Sequence, residues 1–360
     1  MKTRRLDTPC LVIDLDRLEV NLRRMQEAVG AAGKHLRPHA KTHKCSILAR
    51  MQVDCGAVGV CVAKVSEARA LAEAGLPDIL VTGPVVGPGK LGTLAEALQH
   101  ECTITVVVDS PAQVQALDEM ARRIGRRLPV LVALDVGLHR IGVPPDRAPE
   151  LARRVHGCAD LELRGIQAYA GQVQHVVDHT RRQQQSLDCM AAAVEAFNRM
   201  KDRGLPMEVF SGAGTGTHEI DLSIPELTEV QAGSYALVDA EYLGIEAFGF
   251  EPALTLLSTV VSVQPGRGYA VVDAGLKTVY HHGACPIVVD PAGGFVYDWF
   301  GDEYGTVTAP PGGRPPGEGE VVELVVSHCD PTVNLFDRFY VTRGDEVVDT
   351  WPIDLRGLSR

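Results

Sequence analysis

The sequence predicts an α/β chain: an N-terminal (β/α)8 barrel of the TIM-like kind, followed by a C-terminal mainly-β domain that also takes the N-terminal strand. Three observations carry this. Eight short apolar, β-branched runs alternate with stretches of helical spacing between residues 36 and 231. After about residue 250 the helical spacing stops and strand-like runs follow one another directly. With 360 residues there is room for one large α/β domain and a smaller partner.

Taken in order, the run 9–15 stands ahead of the barrel and is expected to pair with the β domain. The eight barrel strands are expected at 36–39, 58–62, 79–82, 104–108, 130–135, 161–169, 207–211 and 228–231. Apolar residues at 3.6-type spacing predict helices at 45–53, 66–74, 89–99, 111–124, 145–155 and 178–203. A doubly wound open sheet shows the same alternation, and only the count of eight favours closure. Further strands are expected at 254–263, 269–273, 286–289, 321–326 and 338–342, separated by turns such as 264–266 and the Pro/Gly-rich segment 309–319. The division that follows is a barrel over 18–248 and a β domain made of 1–17 with 249–360.

Composition narrows the function. Hydrophobic residues are 45% and charged residues 22% of the chain, and no apolar run approaches the ~18 residues of a membrane span. A formal charge of -11 argues against nucleic acid, which needs a basic face, and leaves small molecules as the expected ligands. Nine scattered cysteines without a C-x-x-C pair read as reduced thiols. Asp14 and Asp16 interrupt the apolar run that a signal peptide would need, so the expected compartment is the cytoplasm.

In a barrel, chemistry belongs at the carboxyl ends of the strands, and phosphate sites are commonly built after strands seven and eight. Ser211-Gly212-Ala213-Gly214-Thr215-Gly216-Thr217 follows the seventh run, and Gly233-Ser234-Tyr235 follows the eighth. Glycines let backbone N–H groups converge on an anion and the hydroxyls add donors, although a glycine-rich loop by itself is equally a bare turn. Strand one ends in Arg37-Pro38-His39-Ala40-Lys41-Thr42-His43-Lys44, which is either a solvated basic turn or a setting that lowers a lysine pKa and makes a Schiff-base nucleophile of Lys41. A mouth lysine facing a phosphate site suggests pyridoxal 5'-phosphate.

The octad 37–44 resembles the signature of the D-threonine aldolase and D-serine dehydratase group, relatives of the alanine-racemase-like, fold type III pyridoxal-phosphate enzymes. The resemblance runs along nearly the whole chain: Thr8-Pro9 with 11–15, the loop 137–143, Gln167-Ala168-Tyr169-Ala170-Gly171 with Gln174-His175, the two phosphate loops, and Asp273-Ala274-Gly275-Leu276-Lys277. It implies that Lys41 carries the cofactor, that Arg140 and Tyr169 contact its ring with Gln167 beside them, and that Gly212, Gly214, Thr215, Gly233, Ser234 and Tyr235 form its phosphate site. It also supports barrel closure over the open sheet and implies a homodimer.

A last constellation, Ser327-His328-Cys329-Asp330, follows the apolar run 321–326. On an extended segment His328 and Asp330 point the same way and can share a cation while Cys329 points elsewhere; a structural histidine and a turn aspartate are the alternative reading of that spacing. The resemblance implies a divalent metal here. Members similar to D-serine dehydratase carry cysteine two after the histidine, whereas Asp330 matches the aldolases and suits Mn²⁺ or Mg²⁺.

The expected activity is therefore retro-aldol cleavage of D-threonine and related D-β-hydroxy-α-amino acids to glycine and an aldehyde. The metal on His328 and Asp330 would take the β-hydroxyl, and His175 would act as base; a contact to the substrate carboxylate is the other reading of His175. His39 and His43 are expected as partners of the lysine segment, and His281-His282 as a solvated turn. The rival activities are β-hydroxyaspartate aldolase and D-serine or D-threo-3-hydroxyaspartate dehydratase. A non-catalytic pyridoxal-phosphate-binding protein would lack the β domain and the 328/330 pair. A racemase would use a second-domain tyrosine, with Tyr280, Tyr297 and Tyr304 as candidates.

Overall fold

A computed structural model describes residues 2–264, 266–281, 283–290 and 292–360; Pro265 of the expected turn at 264–266 and His282 lie outside the described residues. The chain divides into two compact units, one made of Arg24–Lys41, Ser46–Gly233 and Gly357–Arg360, the other of Met1–Arg23, Thr42–Cys45 and Ser234–Arg356.

The first unit is the barrel. Its parallel strands are His35–Leu36, Val60–Val62, Asp78–Val81, Thr103–Val108, Leu128–Leu134, Leu161–Ala168, Val209–Gly212 and Glu229–Val230, each at an expected position. The second to eighth pair in sequence order, and the eighth pairs with the first through His35 opposite Glu229 and Leu36 opposite Val230. The ring is completed where strand one runs on: His39 bridges Cys61, the Ala40 N–H donates to the Cys61 carbonyl at 2.8 Å, and the Cys61 N–H donates to that of Pro38 at 2.7 Å. The sheet is closed, not an open doubly wound layer. Helices Ser46–Asp54, Val65–Glu73, Pro88–Ala97, Pro111–Ile124, Ala148–His156 and His179–Asp202 lie between the strands as expected. Pro111–Ile124 shows why such segments stop where they do: Ser110 caps it by accepting the Gln113 N–H, and Gly125 ends it in the left-handed region at φ 67°.

Cys61, Leu80, Val107, Leu131 and Ala133 fill the barrel interior as an apolar layer. A charged cluster is buried beside it. Arg37 is bidentate to Glu229 at 2.9 and 3.0 Å and donates to Asp78 at 2.6 Å, and Arg37 and Glu229 are each 7% exposed. Gly59 gives the cluster its space, because a Cβ there would overlap the guanidinium and Asp78.

The second unit is built on a nine-stranded sheet. Along its main path run Val296–Trp299, Gly305–Thr308, Tyr269–Val272, Leu254–Gln264, Cys10–Asp14, Arg338–Arg343 and Glu346–Pro352, and Val321–Val325 pairs with both Leu254–Gln264 and Ile287–Val288. The N-terminal strand is inserted between Leu254–Gln264, antiparallel, and Arg338–Arg343, parallel. Three strands and one long helix were not among the elements expected from the sequence, nor were short helices such as Ala240–Leu243 and Cys329–Val333. Val296–Trp299 and Gly305–Thr308 are four-residue strands, and Glu346–Pro352 is an edge strand with one buried position, so none shows a clear alternation. The helix Leu15–Ala31 does carry a stripe, with Leu18, Leu22, Met25 and Val29 all buried, and Asp14 caps it by accepting the Arg17 N–H. Among the described residues no helix is long and apolar enough to cross a membrane.

Removing Arg37 leaves the buried Glu229 carboxylate and the half-buried Asp78 without their cation, so Arg37→Leu is expected to lower unfolding stability by about 3 kcal/mol. A urea unfolding midpoint equal to the wild type would show that the cluster does not hold the barrel.

Candidate active site

All eight barrel strands are parallel, so the segments that leave their carboxyl ends emerge on one face. Lys41 leaves strand one there, with its side chain half-buried. A hydrogen-bond chain fixes its backbone. The Thr82 hydroxyl donates to the Val62 carbonyl at 3.0 Å, which leaves its oxygen to accept from His39 Nε2 at 3.1 Å. His39 Nδ1 then faces the Lys41 N–H at 3.4 Å as acceptor. His39 is thus a partner of the lysine segment.

Strand six ends in Gln167-Ala168-Tyr169, and strand seven runs into the glycine-rich loop. Residues 211–217 are all buried. Gln174, 1% exposed, is threaded into this loop. Its Oε1 accepts the Gly216 N–H at 3.0 Å, and its Nε2 donates to Thr217 Oγ1 at 3.0 Å and to the Ala170 carbonyl at 3.2 Å. The Thr217 hydroxyl donates to Asp221 Oδ2 at 2.6 Å, and Ser186 Oγ donates to Asp221 Oδ1 at 2.7 Å. Glycine is required at 214 and 216: a Cβ at 216 would overlap the Gln174 carbonyl, and one at 214 would meet the Gln174 amide and the Tyr169 ring. Burial pushes the Asp221 carboxyl up to about 6 against the opposing pull of the two hydroxyl donors.

The face therefore offers a half-buried lysine, a tightly turned backbone loop with Thr215 in it, and Gln167, whose buried Oε1 has no hydrogen-bond partner among the described residues. The unsatisfied Gln167 oxygen fits a ligand that brings a hydrogen-bond donor, and the turned glycine backbone fits an anionic group such as a phosphate. Arg140 is exposed on the loop after strand five, whose backbone is pinned by carboxylates: Asp135 accepts the Gly137 and His139 N–H groups at 3.0 Å each, and Asp109 accepts that of Gly142 at 3.0 Å. His175, next to Gln174, is exposed. Gly233 is the last residue of its segment in the barrel unit; Ser234 and Tyr235 belong to the other unit, where Tyr235 is fully buried with its ring edge-on to Phe250 at 5.7 Å.

In the β unit, the reading of 328–330 as extended needs correction. His328 is extended, but a short helix begins directly after it, Cys329–Val333, and Asp330 sits in its first turn. Strand alternation therefore does not relate His328 to Asp330. What organises the segment is Asp239, a residue the sequence reading passed over. Fully buried, it accepts His328 Nδ1 at 2.9 Å, the Cys329 N–H at 2.9 Å and the Tyr242 N–H at 3.2 Å, the last as cap of the helix Ala240–Leu243. Binding Nδ1 leaves His328 Nε2 for a further partner. Burial pulls the imidazole pKa down, but Asp239, Asp330 and Glu241 outweigh it and raise it. That negative neighbourhood suits a cation. Among the described residues no three His, Cys, Asp or Glu side chains are grouped to hold a metal ion, so the pair His328 and Asp330 is what the segment provides.

Cys329 is excluded as a thiolate ligand: it is fully buried, its Sγ lies 3.6 Å from the Val238 carbonyl, and burial drives its thiol pKa well up. Tyr297 is likewise unsuited to act as a base, since it is buried with its hydroxyl donated to the Ala274 carbonyl at 2.9 Å and its pKa raised. His281 is exposed and packs edge-on to Trp299.

A closed β/α barrel with a lysine after strand one and a glycine loop after strand seven, joined to a separate β sheet, defines the alanine-racemase-like class. The sequence profile of the alanine racemase N-terminal domain matches residues 13–240, and that of the serine dehydratase domain matches 253–342. The chain is 39% identical to a D-threonine aldolase from an Arthrobacter species over 99% of its own length and 94% of the relative's. It is 37% identical to a 3-hydroxy-D-aspartate aldolase from Paracoccus denitrificans, over 98% and 92%. The crystal structure of D-threonine aldolase from Filomicrobium marinum superposes with a TM-score of 0.95 at 36% identity, covering 99% of this chain and 97% of that one. The chain belongs to the D-threonine aldolase and D-serine dehydratase family.

The raised Asp221 pKa has a sign that can be tested. A carboxyl that titrates near 6 when folded and near 3.8 when unfolded stabilises the fold fully below about pH 4, and that contribution is lost as pH rises through 6. Cys189 on the long helix lies close enough to feel it: burial pushes its thiol up, the Gln172 hydrogen bond opposes this, and Asp188 and Asp221 add to the rise. Asp221→Asn should remove a decline of about 3 kcal/mol in unfolding free energy between pH 4 and 7. Parallel stability profiles for the two proteins would sink the assignment.

Proposed function

We propose that the chain is a lyase that cleaves D-threonine and related D-β-hydroxy-α-amino acids to glycine and an aldehyde, using pyridoxal phosphate and a divalent cation. The observation that carries this is the pairing, in one chain, of the Lys41 barrel face with a β-unit site that has a carboxylate, not a cysteine, two residues after His328. Once bound, pyridoxal phosphate supplies a sink for the electrons of a broken Cα–Cβ bond, and the cation supplies a Lewis acid.

The residues divide the remaining work. Lys41 would hold the cofactor through its side-chain amine. Gly212, Gly214, Thr215 and Gly233, with Ser234 and Tyr235, bind the phosphate; Arg140, Gln167 and Tyr169 border the ring. His328 and Asp330 take Mn²⁺ or Mg²⁺, since an imidazole with a carboxylate and otherwise open positions suits these ions, and Asp239 fixes the His328 tautomer. His175 receives the β-hydroxyl proton; its exposure leaves it open to substrate and solvent.

Two further readings complete the proposal. The chain pairs with a second copy, supported by the uncovered apolar side chains of Leu276, Phe300 and Tyr304, which backbone hydrogen bonds gather at one place in the β unit. It works in the cytoplasm, supported by nine cysteines of which none is in a disulfide.

Protein supplied with pyridoxal phosphate and Mn²⁺ is expected to release glycine from D-threonine in preference to L-threonine, and Lys41→Ala to lower the rate by roughly three orders of magnitude or more. Release of ammonia in place of glycine would convert the reading to a dehydratase; faster loss of L-threonine would end the stereochemical claim. Asp239→Asn, which offers His328 an uncharged partner, should weaken Mn²⁺ binding about ten- to a hundredfold by calorimetry, and undiminished affinity would detach Asp239 from the metal.

A further inference from the structure

We infer that Gln174, held through Thr217 by the buried Asp221, is a positioning residue that ties the glycine loop after strand seven to the His175 segment, so that phosphate cradle and base are set together. The inference rests on the proposed function for its chemistry but on the hydrogen bonds for its geometry.

Gln174 is saturated on both ends by groups of known direction. The Gly216 N–H can only donate, so the oxygen of the side-chain amide must face it, and the nitrogen must face Thr217 and the Ala170 carbonyl. Thr217 in turn accepts from Gln174 and has one proton to give, which goes to Asp221 Oδ2 at 2.6 Å. Asp221 is anchored by Ser186 on the helix His179–Asp202. The chain of bonds therefore has one sense and three anchor points: the loop backbone, the segment after strand six, and the long helix. Every member is buried, with Gln174 at 1%, Thr217 and Ser186 at 0% and Asp221 at 1% exposure. A buried polar chain is costly unless each member is satisfied. His175 follows Gln174 directly, so its backbone cannot shift without withdrawing the amide from the loop.

The test uses Thr217→Val, which keeps shape but removes the hydroxyl, and Thr217→Ser, which restores it. Equilibrium dialysis of the apo-protein against pyridoxal phosphate should show roughly ten- to hundredfold weaker binding for Thr217→Val and near wild-type binding for Thr217→Ser. Glycine release by Thr217→Val should stay low at saturating cofactor, because His175 is displaced as well. In the apo-protein, amide hydrogen exchange should accelerate in 171–176 and 212–217 together, with circular dichroism unchanged. Wild-type cofactor affinity in Thr217→Val, faster exchange confined to 212–217, or a Thr217→Ser protein as impaired as Thr217→Val would each overturn the inference. A wild-type protein that binds no pyridoxal phosphate would instead defeat the functional reading, and the coupled exchange would still decide the clamp.

Discussion

Eight parallel strands put their carboxyl ends on one side, closure sets the end of the first strand beside that of the last, and here that closure falls on a very short strand. His35–Leu36 pairs with Glu229–Val230 on one side, and its continuation reaches Cys61 on the other through Pro38, His39 and Ala40. Lys41 is the next residue. The position of Lys41 on this face is thus a consequence of barrel closure. The buried Arg37 cluster and the His39 tautomer serve the same end from either side of the strand: the first fixes the chain before the closure, the second after it.

Each unit repeats one device, a fully buried aspartate that orients a functional segment through directed donors. Asp239 collects an imidazole and two backbone N–H groups; Asp221 collects two hydroxyls. The outcomes differ because the donors differ. Hydroxyls give Asp221 too little compensation for burial, and its pKa climbs to about 6. Asp239 holds charge-capable and backbone donors and presents His328 in one tautomer.

The barrel was legible because its strands are buried on both faces and read as continuous β-branched runs between turn signals, as in 104–108 and 130–135. The lysine segment and the glycine loop were legible from composition at known places in that order. Asp239, Asp221 and Gln174 were not, since their importance lies in tertiary hydrogen bonds that no local spacing encodes. Asp239-Ala240-Glu241 after the eighth strand did offer a signal, as an acidic cap ahead of a short helix. Helix Leu15–Ala31 was not legible despite its stripe because no turn residue separates it from the strand-like run 9–15, whose last residue is the first of the helix.

The segment 328–330 shows how a correct choice of residues can rest on the wrong geometry. Alternation on a strand would send His328 and Asp330 to one side and Cys329 to the other. In the helix that begins at Cys329, the side chains at successive positions turn by about 100° instead. The thiol is still removed, now because the first helical turn buries it against the Val238 carbonyl, while the residue one step on, Asp330, keeps partial exposure although its Oδ1 is buried. A change of cysteine and aspartate between these two positions would therefore exchange more than ligand softness: it would move a charge into the fully buried site. The helix start, with the Cys329 N–H committed to Asp239, is what makes 330 the position that can carry a charged ligand and 329 the position that cannot.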